Sequence, residues 1–108
     1  VVGITRGGLI PGVIVSHILN VPFEPVTWQT RDGLIQDADL IVENNLSTTL
    51  FIDDICDSGL TMEDVAELAP EAKRAVLLNK RNDMGIDIIG QALYNVDEWV
   101  VFPWESEE

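Results

Sequence analysis

Three carboxylates and a hydroxyl-rich turn lie close together in the middle of the 108-residue chain. Asp53 and Asp54 follow a short apolar run, residues 50–52, of the kind found in strands that are covered on both faces. In open α/β sheets, ligands bind outside the carboxyl ends of such strands. Asp57 comes next, and the turn after it offers hydroxyls, a glycine and the N–H groups of a helix start, which suit an anion: Ser58, Gly59, Leu60 and Thr61. The stretch therefore predicts an acid pair for a sugar or a metal ion beside a phosphate-binding turn.

Apolar strands alternate with helical segments along the rest of the chain. Strands are predicted at residues 1–5, 21–28, 49–55 and 73–79 and once more within 86–96, and helices at 9–19, 37–46 and from 61 or 62 to 68. Such alternation is typical of an α/β fold with a mainly parallel sheet and helices on both faces. Pro22 and Pro25 favour an edge position for the second strand, whereas Ile41 and Val42 would suit a strand as well as a helix. Residues 99–103 are expected to form a closing segment.

The composition limits what the chain can bind. Six Lys and Arg residues against 19 Asp and Glu residues give a formal net charge of −13, which disfavours nucleic acid and anionic membranes as partners. Because 46% of the residues are hydrophobic, residues 1–108 are expected to form one domain around a core. Cys56 has no second cysteine to pair with, and no apolar run reaches the roughly 18 residues of a membrane span. Both observations favour a cytoplasmic protein.

Residues 51–61 have a spacing of two acids, two apolar residues, a third acid, Ser-Gly, any residue and Thr. This spacing resembles the signature of the type I phosphoribosyltransferases. Residues 5–9, Lys80 after a strand and residues 99–105 resemble the 6-oxopurine branch of that family. The resemblance implies transfer of the phosphoribosyl group of phosphoribosyl diphosphate (PRPP) to hypoxanthine, guanine or xanthine, with release of pyrophosphate. Relatives usually carry a helical segment before the first strand, so the fold is expected to be N-terminally short.

The resemblance also implies roles for the central residues. Asp53 and Asp54 would accept hydrogen bonds from the ribose hydroxyls or from waters on Mg²⁺, and their charge would stabilise an electron-poor ribose. Asp57 would be the general base for the proton at purine N7. The ribose phosphate would lie against Asp57 and the turn that follows it, and pyrophosphate against Arg6, Gly7 and Gly8, where glycines let N–H groups approach an anion.

Residues near the end of the chain would recognise the base. Lys80 has only donors to offer, so it favours the exocyclic oxygen of a 6-oxopurine over the amino group of adenine. Trp99 would stack on the purine, and the carbonyl of Val100 would contact its edge. Glu105 would join the acid pair at the metal ion. Relatives have a mobile loop at residues 29–33, which is short here, and they form dimers or tetramers.

Each of these features also has a purely structural interpretation. The segment 6–8 could be a glycine-rich turn with an exposed arginine, Trp99 and Trp104 could be core aromatics, and Lys80 could be a surface lysine. The short loop at 29–33 leaves open a non-catalytic PRPP- or nucleotide-binding regulator on the same fold. A phosphoacceptor receiver domain is a weaker alternative, because its acid pair and its phosphoacceptor aspartate should follow different strands.

Overall fold

The computed structural model describes residues 1–27, 46–94 and 100–104. Within these residues, five strands form one parallel sheet in the order β2-β1-β3-β4-β5. The strands are β1 Val2–Thr5, β2 Glu24–Thr27, β3 Leu50–Cys56, β4 Lys73–Asn79 and β5 Ile88–Ala92. Two α-helices are described, α1 Leu9–Leu19 and α2 Leu60–Leu68, together with a short 3-10 helix at Leu46–Thr48.

The alternation of strands and helices was read correctly from the sequence. The predicted bounds of α1 and β4 agree with the structure, and β3 and α2 each differ by about one residue. Strand β2 lies at the edge of the sheet, as its two prolines predict, but it begins only at Glu24. The predicted helix 37–46 lies outside the described residues except for Leu46. Residues 100–104 form no strand, and a turn occupies 103–104.

The two helices cover opposite faces of the sheet. Neighbouring residues of β3 point to opposite faces, and Phe51 belongs to the core formed with α2: Val2, Ile4, Val26, Met62, Val65 and Val76. On the other face, a Cβ atom at Gly12 of α1 would lie only 3.4 Å from the Cα atom of Gly3. The backbone of α1 therefore packs directly on β1. The fold is a parallel α/β fold with a helix on each face, as the sequence predicts.

Helix α1 begins and ends at recognisable signals. Pro11 lies in its first turn, where the missing N–H group costs little. The helix ends at Asn20, whose φ of 55° is in the left-handed region that asparagine tolerates. None of the described helices is both long enough and apolar enough to cross a membrane.

The sheet order brings two turns to one crevice. Strand β1 pairs with β2 on one side and with β3 on the other. The chain leaves β1 for β2 and later returns past β1 to enter β3, so the strand order reverses between β1 and β3. In parallel sheets, ligands bind at such a switch point, outside the carboxyl ends of the strands. The turn at residues 6–8 after β1 and the turn at residues 57–61 after β3 border this crevice.

Candidate active site

The acid pair lies inside strand β3, two residues before the strand ends at Cys56. The Asp54 N–H donates a hydrogen bond of 2.8 Å to Asp53 Oδ1, and the Ile55 N–H donates one of 2.7 Å to Asp54 Oδ1. The predicted strand 49–55 also contains both carboxylates near its carboxyl end, and β3 ends at Cys56, one residue later than predicted. Backbone donors hold both carboxyl groups, so the pair is positioned before any ligand arrives.

Burial and the neighbouring acid make it costly for Asp53 to ionise. Removal from water, a hydrogen bond to the Asp54 side chain and repulsion by its charge together raise the pKa of Asp53 from 3.8 to about 8. The free pair therefore holds a proton to a higher pH than an ordinary carboxyl group does. A bound cation, or hydrogen bonds from the hydroxyls of a sugar, would relieve this repulsion. A raised pKa of this kind is typical of a ligand-binding site.

The turn after β1 packs directly on the acid pair. A Cβ atom at Gly7 would overlap the Asp54 carboxyl group, and one at Gly8 would overlap the carbonyl oxygen of Ile52. Only glycines therefore allow the backbone of residues 6–8 to come this close to β3. Arg6, in the same turn, is exposed. The structure thus brings together the residues that the sequence assigned to pyrophosphate and those that it assigned to ribose.

The turn after β3 ends in the open N-terminus of α2. Gly59 precedes the helix with a φ of 89°, in the region that favours glycine, and as the N-cap residue it has no side chain to cap the helix. Ser58 Oγ accepts a long hydrogen bond of 3.4 Å from the Leu60 N–H. The Leu60 side chain is 55% exposed, and Thr61 is partly buried. This arrangement offers backbone N–H groups and hydroxyls to an anion.

The predicted general base and the predicted purine lysine form an ion pair. Lys80 Nζ lies 3.5 Å from Asp57 Oδ1, and the lysine side chain is 8% exposed while that of Asp57 is 54% exposed. The Lys80 N–H also donates to the carbonyl of Cys56 over 2.9 Å. A solvated surface lysine is therefore the wrong description of Lys80. Its buried stem directs the ammonium group to the end of β3.

Several predicted site residues lie beyond what the structure describes. Trp99, Glu105 and the loop 29–33 are outside the described residues, and their roles stay predictions. Val100 is partly buried and begins the described segment 100–104. In that segment, the rings of Phe102 and Trp104 stack with centroids 5.0 Å apart. Trp104 is 36% exposed, so it is not an ordinary core aromatic.

Asp53 and Asp54 are the adjacent carboxylates that could bind a metal ion in this crevice. No cluster of three or more His, Cys, Asp or Glu side chains that could hold a metal occurs among residues 1–27, 46–94 and 100–104. An ion bound by Asp53 and Asp54 would take its other ligands from water and from phosphate oxygens of the substrate. Mg²⁺ is usually bound in this way, by one or two carboxylates plus phosphates.

No role was predicted for Arg81, although its side chain contacts the phosphate-binding turn. Its Nη1 atom donates a hydrogen bond of 2.7 Å to the carbonyl of Ser58. Two further bonds, of 3.1 and 2.8 Å, join the guanidinium to Asp83, and this contact lowers the pKa of Asp83 and raises that of Arg81. The available signal was the run of polar residues 80–83 at the carboxyl end of β4. The position of this run beside the end of β3, which the structure shows, was needed to assign a contact to Arg81.

The chain is similar to curated proteins over nearly its whole length. No family model matches it. The xanthine-guanine phosphoribosyltransferase of Idiomarina loihiensis is 31% identical over 114 residues, which cover 97% of this chain and 70% of that protein. That of Cereibacter sphaeroides is 33% identical over 115 residues, which cover 97% of this chain and 68% of that protein.

Solved structures agree with these relatives. A hypothetical protein from Neisseria gonorrhoeae with bound ppGpp superimposes with a TM-score of 0.70 at 26% identity and covers 99% of this chain and 73% of its own. The orotate phosphoribosyltransferase of Aeropyrum pernix has a TM-score of 0.58 at 17% identity over 85% of this chain and 59% of its own, which supports the fold alone. The chain therefore belongs to the type I phosphoribosyltransferases, in the branch of the xanthine-guanine phosphoribosyltransferases.

Proposed function

We propose that this protein transfers the phosphoribosyl group of PRPP to a 6-oxopurine, namely hypoxanthine, guanine or xanthine. The products are the nucleoside monophosphate and pyrophosphate. The observation that carries the proposal is the crevice between β1 and β3, where a half-buried acid pair lies between two turns that suit anions. The relatives named as xanthine-guanine phosphoribosyltransferases support the choice of reaction and base.

The acid pair would act on the ribose. Departure of pyrophosphate leaves positive charge on the sugar ring, and Asp53 and Asp54 supply negative charge next to it. Their oxygens can also accept hydrogen bonds from the two ribose hydroxyls. Backbone N–H groups already hold both carboxyl groups, so little reorganisation is needed when charge develops. Pre-organised charge of this kind stabilises the transition state more than the bound substrate.

The ion pair of Asp57 and Lys80 would contact the purine. N7 and O6 lie next to each other on one edge of a 6-oxopurine, and both are acceptors in the product nucleotide. Lys80 donates to O6, while Asp57 takes the proton that leaves the base nitrogen N7. The separation of 3.5 Å between Lys80 Nζ and Asp57 Oδ1 suits two groups that serve neighbouring atoms of one ring. Trp99 and Val100 complete the base site in this proposal.

The two turns would hold the ribose phosphate and the pyrophosphate of PRPP. The ribose phosphate is bound by Ser58, Thr61 and the N–H groups of residues 58–61, and pyrophosphate by the turn 6–8 with Arg6. Mg²⁺ is part of the proposal because Asp53 and Asp54 fit the few protein ligands that this ion takes. When bound, it neutralises charge on the leaving pyrophosphate. Glu105 would be a further acid near it.

Compartment and assembly are further parts of the proposal. The free thiol of Cys56 is buried, as suits a reducing, cytoplasmic compartment. Because members of this family form dimers or tetramers, a homodimer or homotetramer is part of the proposal. Two apolar residues of α1 could form a subunit contact, since Ile14 is 51% exposed and Ile18 is 75% exposed. A non-catalytic nucleotide-binding regulator is not favoured, because the relatives are named as enzymes. The binding of ppGpp by the Neisseria gonorrhoeae protein supports a nucleotide site on this fold.

The test is a base-competition assay with Mg²⁺ and PRPP. We expect nucleotide from at least one of hypoxanthine, guanine and xanthine, and none from adenine. Calorimetry with PRPP alone runs in parallel. Folded protein that binds PRPP but forms no nucleotide from any base would leave the regulator as the function. Folded protein that neither binds PRPP nor forms nucleotide would overturn both.

A further inference from the structure

Beyond the residues assigned above, we propose that Arg81 is a positioning residue for the ribose phosphate. It holds the peptide between Ser58 and Gly59 so that the Gly59 N–H is presented to the phosphate. This inference deepens the proposed function and rests on it, because it concerns the same phosphate-binding turn. Arg81 acts through the backbone and not as a charge in contact with the phosphate.

The contact itself is short and comes from a distant part of the chain. Arg81 Nη1 lies 2.7 Å from the Ser58 carbonyl oxygen, across a sequence separation of 23 residues. Asp83 holds the guanidinium in a fork, with bonds of 3.1 Å from Nε and 2.8 Å from Nη2. The Arg81 N–H donates to Asn79 Oδ1 over 3.1 Å, and Asn79 is fully buried. The arginine is thus oriented at both its backbone and its side chain.

Peptide geometry links this contact to the phosphate. In a trans peptide, the C=O and N–H bonds point in opposite directions. A carbonyl of Ser58 that is held by Arg81 therefore directs the Gly59 N–H in the opposite direction within the same peptide plane. The next carbonyl, that of Gly59, accepts the Glu63 N–H over 2.9 Å. Both peptides that flank Gly59 are held, one by α2 and the other by Arg81.

Gly59 is the position where such a hold matters most. Its φ of 89° is accessible to glycine at little cost, and glycine also reaches many other conformations. Met84 limits this freedom from one side, since a Cβ atom at Gly59 would lie 2.7 Å from Met84 Sδ. Steric contact does not determine which way a peptide N–H points. The hydrogen bond from Arg81 does.

The loop that carries Arg81 has anchors of its own. Arg74 donates from Nη2 to the carbonyls of Met84 and Gly85 over 2.7 and 2.8 Å. From Nη1 it donates to the carbonyl of Met62 in α2 over 2.8 Å. Loss of the Arg81 side chain should therefore leave residues 82–85 packed on α2. A defect in phosphate binding can then be separated from a defect in folding.

The experiment compares Arg81→Gln with Asp83→Asn, using ribose 5-phosphate as the probe in calorimetry. If Arg81 positions the peptide, both substitutions weaken binding, by about tenfold, because Arg81→Gln removes the hydrogen bond to the Ser58 carbonyl and Asp83→Asn breaks the fork that orients it. If Arg81 acts instead by its charge, Asp83→Asn strengthens binding, because a negative charge is removed near the phosphate. The direction in which Asp83→Asn changes the affinity for ribose 5-phosphate therefore decides between positioning and charge.

Controls separate this result from general effects of charge and folding. Lys73→Gln at the other end of β4 and Glu67→Gln in the last turn of α2 remove matched charges and should change binding less than twofold. Inorganic pyrophosphate should bind all variants equally, because its proposed site is the turn 6–8. In the enzyme assay, KM for PRPP should rise about tenfold with kcat nearly unchanged, since the contact is made equally in the ground and transition states.

Failure of this inference can be told from failure of the proposed function. If the unaltered protein binds ribose 5-phosphate and Arg81→Gln binds it as tightly, the positioning role is overturned and the proposed function stands. If Asp83→Asn binds more tightly than the unaltered protein, the positioning role is likewise overturned. If the unaltered protein forms no nucleotide and does not bind ribose 5-phosphate, the proposed function falls and the role of Arg81 falls with it.

Discussion

Two turns border the same crevice, and they are held in different ways. The turn at residues 6–8 is positioned by its own backbone, because Gly7 and Gly8 allow direct contact with Asp54 and with the carbonyl of Ile52. Few side-chain contacts are needed for this arrangement. Close packing of backbone on strand makes the first turn rigid and intolerant of any added atom.

The turn at residues 57–61 depends on side chains from the segment that follows β4. Lys80 pairs with Asp57, Arg81 bonds to the Ser58 carbonyl and Met84 lies against Gly59. A turn that is held by hydrogen bonds and ion pairs can lose one contact and keep its fold. We therefore expect an added atom to abolish the function of the first turn, and the loss of one of these holding contacts to tune that of the second.

The largest effect should come from Gly7→Ala, which introduces an atom that overlaps the Asp54 carboxyl group. We expect activity to fall at least about a thousandfold and the free energy of unfolding to fall by about 1 to 3 kcal/mol. Initial rates and urea unfolding measure the two. In an Asp54→Ala background the same substitution should cost much less stability, because the overlapping atoms are gone. An equal cost in both backgrounds would contradict direct packing of this turn on the acid.

Asp57→Asn should have the next largest effect. It tests the difference between the two turns, because it alters the chemistry of the second turn and leaves the first turn unchanged. Loss of the general base is expected to lower kcat about a hundred- to a thousandfold. The Kd for PRPP should change by less than about threefold, since the phosphate contacts remain. Steady-state kinetics and calorimetry give both values. Equal loss of kcat and PRPP affinity would argue that Asp57 binds the substrate and does not act as a base.

Asp53 lies between the two turns and should make stability depend on pH. Its pKa is raised from 3.8 to about 8 in the folded protein, so between these values the folded state binds more protons than the unfolded state. The free energy of unfolding should then be highest below about pH 4 and fall as the pH rises through about 8. Without divalent cations, Asp53→Asn should remove this fall and be more stable than the unaltered protein by about 1 to 2 kcal/mol near pH 8.

Urea unfolding at several pH values between about 5 and 9 measures this dependence. Asp87→Asn, at the start of the β5 edge and away from the crevice, is the matched control and should keep the slope of the unaltered protein. If Asp53→Asn shows the same dependence of the free energy of unfolding on pH as the unaltered protein, the pKa of Asp53 is not raised in the folded state.

Leu60→Ala should have the smallest effect, and it tests how well the second turn tolerates a change of side chain. The side chain is 55% exposed, and the proposal uses only its backbone N–H. The Kd for ribose 5-phosphate and the KM for PRPP are both expected to change by less than about twofold. Thr61→Val, which removes a proposed phosphate hydroxyl from the same turn, is the comparison and should weaken binding about three- to tenfold. A larger effect at Leu60 than at Thr61 would mean that the phosphate lies elsewhere.

Much of the fold and part of the site could be predicted because they depend on local patterns. The apolar runs around Phe51 and Val76 predict buried strands, and the acids and glycines that follow strands predict a ligand site at one edge of the sheet. Lys80 could be assigned only through the resemblance, and its burial was not predictable from a polar run. The assignments of Trp99 and Glu105 remain predictions, since they lie outside the described residues.

By itself, the sequence determined the order of strands and helices, the acid pair, the two glycine-containing turns and the membership of the family. Local periodicity and short motifs carry this information, because each depends on residues that are neighbours in the chain. Only the tertiary structure decided that Gly7 contacts Asp54, that Lys80 pairs with Asp57 and that Arg81 holds the carbonyl of Ser58. The reason is the parallel pairing of β1, β3 and β4, which brings the carboxyl ends of distant strands together and which no local pattern specifies.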